Sequence, residues 1–358
     1  MRIQSIFGIY ANSMQAVVDN SLDRFAETWY AKYFSFAPTQ QSLNFTSVVG
    51  ASRIEAAASI VSRSSEAPLR SRANLAKYQG DIPAIKEKFA MREEDYRDFL
   101  ALQALSMDDN TKKKQLLDFL FADIQKAGNS VHKRLDIMVL EAVSTGKISL
   151  TIDNNPDGLV LKSPMDLLMP ATNKKNAIAL WSDTTNSKPI TDITNVVNDA
   201  RASGRGFEKI LMSMTTWLWF AKSKEVIDSL ISFNQLQRGA SVATLLKVNE
   251  YLQANMLPML EIVDETVGIE KDGVIGSIRP FADKNVSFIP KGNLGVIKNA
   301  LCLEQMQPVK TVDYATFNKA LISKWQENDP WAEFTAVELN AFPALESIDN
   351  IFLLTVLA

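Results

Sequence analysis

The 358-residue sequence has one histidine, His132, and one cysteine, Cys302. A mechanism that needs imidazole as general base, or a histidine-based metal site, has a single residue to rest on. That residue sits beside Val131 and Lys133 in a strongly helical stretch and reads as structural. One cysteine excludes an intrachain disulfide and fits a reducing compartment; between Leu301 and Leu303 it reads as a small buried apolar group. A net charge of −3 leaves no dominant basic footprint for nucleic acid or anionic lipid. No apolar run reaches the roughly 18 residues of a membrane span; the nearest, ILMSMTTWLWFA, stops at Lys222. The opening MRIQSIFGIYANSMQ has only a short, interrupted apolar stretch, so no secretory signal is expected. These absences predict a soluble protein made in the cytoplasm, with no membrane partner.

Ligand motifs are missing as well. The Gly–Lys pair at 146–147 lacks the upstream Gly and the following Ser/Thr of a Walker loop, and GRG at 204–206 follows a helix instead of opening one. DNNPDG at 153–158 matches the first offsets of a calcium loop, but Pro164 stands where the bidentate Glu belongs and the flanks read as strands. A hairpin turn fits better. Glu93, Glu94 and Asp95 are adjacent, so on a helix they point in different directions and suit a first turn, not a catalytic pair. Trp217 and Trp219 could stack on a ring, but helical spacing assigns Trp217 to a core. No catalytic, cofactor-binding or metal residue is assigned, no cofactor is expected, and the chain is not expected to be an enzyme. A soluble hydrolase, the enzyme alternative, would have to work through His132 or the 93–95 cluster.

What is present is architectural. Residues 1–50 carry Phe25, Trp29, Tyr30, Tyr33, Phe34, Phe36 and Phe45, and read as extended beyond Pro38. Such an arm must lay its rings on its own body or on a neighbour. Residues 51–92 have few large apolar groups, several Ser and Arg, and turn signals at Pro68 and QGDIP. They read as a long two-stranded excursion without a core, which is marginal alone and expected to lean on another subunit. Then TKKKQLLDFLFADIQKAGNSVHKRLDIMVLEAVSTGK places Leu117, Leu120, Ile124, Ala127, Val131, Leu135, Met138 and Ala142 three or four apart. This is a helix over about 111–145, on the order of 50 Å long, stopped by Gly146, with Gly128 as a candidate bend.

Beyond it, KISLTIDNNPDGLVLKS reads as two short strands about a turn, and the next 120 residues mix helices and strands. TDITNVVNDARASGRG reads as a helix capped by Thr191, and FEKILMS as a buried strand. TTWLWFAKSKEVIDSLISF reads as a helix with Trp217, Phe220, Lys224, Ile227 and Leu230 on one side. The chain closes with EFTAVELNAF, where Thr335, Val337 and Leu339 share a face, and NIFLLTVLA, apolar on both faces. The latter is the pattern of a central strand covered above and below, with the long helix as one cover.

In this order, these segments resemble the major capsid proteins of tailed bacteriophages, the family with the Hong Kong 97 (HK-97) fold, and most of all its lambda-type major head protein branch. WYAKYFSFAPTQQSLNFTSVVG is similar to the end of that family's N-terminal arm, and RLDIMVLEAVSTGKISLTID to the end of its spine helix and the strand after it. LWSDTTNSKPITDITNVVNDARASGRGFEKILMSMTTWLWF, with Trp181, Pro189, Asp192 and Ile193, resembles the entry to its axial domain. GVIGSIRPFADKNVSFIPKGNLGVIKNA resembles strands late in that domain. DPWAEFTAVELNAFPALESIDNIFLLTV, with Asp329, Pro330, Glu333 and Phe334, resembles the closing peripheral strands.

The resemblance implies an α+β fold with an N-terminal arm at 1–50, an extended E-loop hairpin at 51–92 and a peripheral domain at 93–175 containing the spine helix. An axial domain at 176–300 and a return to the peripheral domain at 301–358 complete it. It implies self-assembly into pentamers and hexamers that form an icosahedral head shell around double-stranded DNA, without sequence-specific binding. Expected partners are further copies of the chain, a portal, a decoration protein, and a scaffolding protein supplied separately because the chain leaves no room for an assembly-directing extension. Localisation is then the virion, after synthesis in the host bacterial cytoplasm. Trp29 and Phe34 of the arm, and Arg70, Arg72, Lys86 and Lys88 of the excursion, are the expected contacts with adjoining subunits. Gly128 is the expected bend during procapsid maturation. An encapsulin-like compartment shell shares the fold and is the alternative.

Overall fold

The computed structural model describes residues 14–19, 22–49, 76–104, 109–233 and 241–358. Arg70 and Arg72 lie outside them. The dominant element is an unbroken helix, Asp109–Thr145, about 55 Å long at 1.5 Å per residue. Ile124, Ala127, Val131, Leu135, Met138 and Ala142 form its stripe, none more than 4% exposed. Gly146 ends it at φ 71°, its N–H donating to Ala142 O at 2.9 Å, the left-handed stop that glycine adopts without strain. The last carbonyls are met from a strand: Ser287 Oγ donates to Val143 O at 2.9 Å and Asn285 Nδ2 to Ser144 O at 2.8 Å. The helix end is thereby fixed to strand Asn285–Ile289.

Beneath the helix lies a six-stranded sheet built around Trp331–Ala344. Ala320–Asn328 pairs along one edge of this central strand. Along the other, Ala84–Arg92 pairs with residues 332–340 and Gly295–Ala300 with 340–344, both antiparallel. Asp313–Phe317 and Phe34–Phe36 complete the two ends. The 84–92 segment, expected as part of the free excursion, is therefore a strand of the sheet over nine residue pairs. Its alternation of Ile85, Phe89 and Met91 is that of a strand with one face on a core. What remains outside the sheet is Asn44–Val49 paired with Ala76–Asp81.

A second, five-stranded sheet runs in the order Lys174–Asn176, Phe352–Thr355, Asn285–Ile289, Lys209–Ser213, Met259–Val263. Helices Pro189–Ala202, Met214–Lys222, Lys224–Ser232 and Leu245–Ala254 supply its second core. The terminal strand is interior, as its two apolar faces predict, but its sheet is this one and not that of the 331–344 strand. Leu353 enters the core filled by the long helix, whereas Phe352, Leu354 and Val356 enter the second core.

Two helix assignments change. Pro189, at the first helical position, opens its helix, with Lys188 and not Thr191 as cap. Residues 214–232 form two helices broken at Ser223, so Trp217, Phe220 and Leu230 are buried as expected while Val226 takes the place of Lys224 and Ile227. Of the two strands expected in KISLTIDNNPDGLVLKS only Lys147–Ile148 forms, and its partner, Met165–Asp166, lies just beyond that stretch. A separate ribbon, Val267–Lys271 with Val274–Ile278, rests on Ile137 of the long helix. No described helix is long and apolar enough to cross a membrane.

Candidate assembly surfaces

Residues 29–36 of the arm lie on their own chain. Trp29, Tyr30 and Phe34 are each 4% exposed and Tyr33 7%, so Trp29 and Phe34 are core residues here and not free surface. The large rings find apolar partners within reach, which removes the need for a neighbour to cover them. The Tyr30 N–H donates to Asp136 Oδ1 at 2.7 Å, and the Tyr30 hydroxyl lies 2.9 Å from His132 Nδ1. His132 and Asp136 are one helical turn apart on the long helix, so both grip one arm residue. The next turn of arm reaches the other sheet: the Tyr33 hydroxyl donates to Glu261 Oε2 at 3.3 Å and accepts from Lys209 Nζ at 3.3 Å. Lys209 and Glu261 are themselves paired at 2.6 Å. The arm is a strap across helix and both sheets.

This environment sets the ionisation of its groups. Burial pushes His132 down to about 4, and it pushes the Asp136 carboxyl up to about 6 against the two backbone N–H groups that favour its charge. Tyr30 rises to about 12, again through burial. His132 is thus a neutral structural residue at pH 7, in keeping with its apolar neighbours. The strap was not anticipated, although two polar residues at i and i+4 inside an apolar stripe are its sequence signal.

Gly128 marks a close approach of the arm to the long helix. A Cβ there would lie 2.6 Å from Phe25 Cε1 and 3.3 Å from Phe317 Cδ1, and those two rings stack with centroids 3.7 Å apart. The absence of a side chain lets arm and sheet meet over the helix, which gives the glycine a packing role. Lys86 and Lys88 project from the 84–92 strand. Lys86 Nζ meets Glu338 Oε2 at 2.6 Å, and that hydrogen bond raises its pKa. Lys88 Nζ lies 4.6 Å from the centre of the Phe334 ring.

The remaining motifs resolve into structure. Trp181 Nε1 donates to Asp192 Oδ2 at 3.0 Å, both buried, so the segment entering the second core is stapled by a hydrogen bond. Cys302 is buried, and burial pushes its thiol up to about 12, which keeps it a thiol. In DNNPDG, Asn154 Oδ1 accepts from the Thr151 N–H, and Asn155 Nδ2 donates to Leu159 O, so these side chains hold the turn. Among the described residues no group of three or more His, Cys, Asp or Glu side chains could hold a metal ion. Glu93 pairs with Arg97 at 2.6 Å, and Asp95 accepts from the Arg92 N–H at the helix start.

The family model for phage major capsid protein E matches residues 14–356. No curated protein matches by sequence. Among solved structures, one assigned as the capsid protein of a prophage of Escherichia coli CFT073 superposes with a TM-score of 0.57 at 14% identity, covering 96% of this chain and 97% of that one. A phage-related protein from Bordetella bronchiseptica RB50 superposes with a TM-score of 0.52 at 10% identity, covering 96% and 98%. At such identities the likeness speaks for the fold. The long helix over a central strand, a second sheet with its own helices and a family match over nearly the whole chain lead to one assignment: this chain belongs to the phage major capsid protein E family, has the Hong Kong 97-type fold and is a shell-forming subunit of the virion capsid.

Proposed function

We propose that the subunit assembles into pentamers and hexamers that tile an icosahedral head around double-stranded DNA, in the manner of the lambda-type branch. The observation that carries this reading is the family match from residue 14 to residue 356. Association, not catalysis, is the mechanism. A separate scaffolding protein, a portal and a decoration protein are its proposed partners, and synthesis takes place in the host cytoplasm. A net charge of −3 supports enclosure of DNA without sequence-specific binding.

The proposed partition has an arm at 1–50, an excursion at 51–92 that ends in the 84–92 strand of the sheet, a peripheral lobe holding the long helix and the six-stranded sheet, and an axial lobe around the second core. Arg70 and Arg72, with Lys86 and Lys88 at the base of the excursion, are its proposed contacts to acidic surface on adjoining copies. Lys86 contributes less than its charge suggests, because Glu338 already neutralises it. Wild-type protein co-expressed with its scaffold should give closed particles of uniform diameter in negative-stain microscopy. Deleting residues 50–75 should leave a folded chain that forms none. Only monomers from the wild type would remove the shell reading, and intact shells from the deletion would remove the excursion's role.

A further inference from the structure

The helix Leu245–Ala254 ends on Met256 in the left-handed conformation, φ 55°. The Leu257 N–H returns to Leu252 O at 2.9 Å and the Met256 N–H to Gln253 O at 3.0 Å, the stop at which glycine or asparagine is least strained. A methionine here carries a backbone cost, and its side chain is 81% exposed. Strain kept at an exposed residue points to a use for that side chain. Met256 rims a cleft of about 360 Å³ whose walls include Val197, Phe207, Met259 and the guanidinium-bearing Arg201 and Arg205, with Glu208 also on its lining. Arg201 Nη2 donates to Met256 O, holding the rim.

Elsewhere on the chain, the Val267–Ile278 ribbon offers the converse surface. Its inner face rests on Ile137, and Asp272 and Gly273 turn it at φ 52° and 76°. Past that turn Val274 is 70% and Ile275 73% exposed, flanked by Glu270, Lys271 and Asp272. No ribbon residue lines the cleft of its own chain. The ribbon's inner face is packed, but its apolar tip has no cover among the described residues.

We infer that the cleft is a socket for the ribbon tip of a second copy. Val274 and Ile275 enter beside Met256 and Met259, Glu270 and Asp272 face Arg201 and Arg205, and Lys271 faces Glu208. Because the two surfaces are different patches, the contact is head-to-tail and propagates from copy to copy until a ring closes. The inference rests on the shell reading above and deepens it by naming a contact.

The test pairs Met256→Cys with Val274→Cys in the full chain, where the native Cys302 is buried and silent. Oxidised particles of the double variant should run as a ladder of covalent oligomers on a non-reducing gel, and neither single variant should. Arg201→Glu and Glu270→Arg should each lower particle yield at least tenfold, with the two reversals combined restoring it. Wild-type particles alongside a double-cysteine variant that assembles but yields only monomer bands would overturn the socket and leave the shell reading intact. So would single reversals that leave yield unchanged, or a double reversal that stays defective. A wild type that never assembles would remove both.

Discussion

His132 and Asp136 share one arm residue, and burial moves the pKa of the one down and of the other up. The folded state holds His132 at about 4, below its ordinary 6.5, so its neutral burial contributes stability above pH 6.5 that is lost as pH falls toward 4. Asp136 is held at about 6, above its ordinary 3.8, so its burial costs stability above pH 6 and that cost fades as pH falls toward 4. The two slopes have opposite sign over nearly the same window. Asp136→Asn keeps an acceptor for the Tyr30 N–H and removes the compensation. The variant should lose on the order of 3 kcal/mol relative to wild type between pH 7 and pH 4, read from urea midpoints at the two pH values; parallel pH profiles would contradict the pairing. Gly128→Ala carries its own competition. Replacing a helical glycine gains about 1 kcal/mol, while crowding the Phe25 ring at 2.6 Å costs about 1–3. A net loss of about 1 kcal/mol is expected in the wild type, and a gain of similar size when Phe25 is already alanine. The helical stripe and the structural nature of His132 were legible in the sequence because both are local. The grip on Tyr30, about 100 residues away, was not.

Between elements, the same divide decides what could be read. The alternation of Ile85, Glu87 and Phe89 announces a strand, but nothing local says that its partner is the 331–344 strand. Assigned to an excursion, it looked coreless; in its sheet it has a core on one face. The arm's rings need only some apolar surface, and of the two covers open to them, own body or neighbour, Trp29 and Phe34 take the first. Charge shows a related contrast. Lys86–Glu338 joins an exposed lysine to a half-buried glutamate and, screened on the lysine side, is worth about 1 kcal/mol. Lys324–Glu333, at 2.7 Å and with side chains 4% and 2% exposed, stitches the 320–328 and 331–344 strands from inside. Thr335 Oγ1 and Gln326 Nε2 belong to the same network. Lys324→Met alone should cost about 3–5 kcal/mol, because it strands the Glu333 charge in the core. Adding Glu333→Leu should recover most of the loss. A single variant as stable as wild type in urea would mean that water reaches Glu333.

At the scale of the molecule, the terminal strand is shared by the two cores of the chain. A strand apolar on both faces tells only that each face is covered. It does not tell that the covers are different cores, one filled by the long helix and one by the helices of residues 189–254. Successive residues of Phe352–Thr355 alternate between them, while Asn285 and Ser287 of the adjoining strand close the end of the long helix. A shell subunit that transmits force between neighbours needs such a shared wall, since two independently hinged lobes would absorb the strain. Leu353→Ala opens a cavity on the helix side and Leu354→Ala one on the other, each expected to cost about 2–5 kcal/mol. If the wall is shared, either variant lowers hydrogen-exchange protection by a similar factor in both places, along residues 131–143 of the long helix and residues 193–200 of the second core. Protection lost on one side only, the side of the substitution, would mean that the lobes unfold separately and that the strand is a seam instead of a joint.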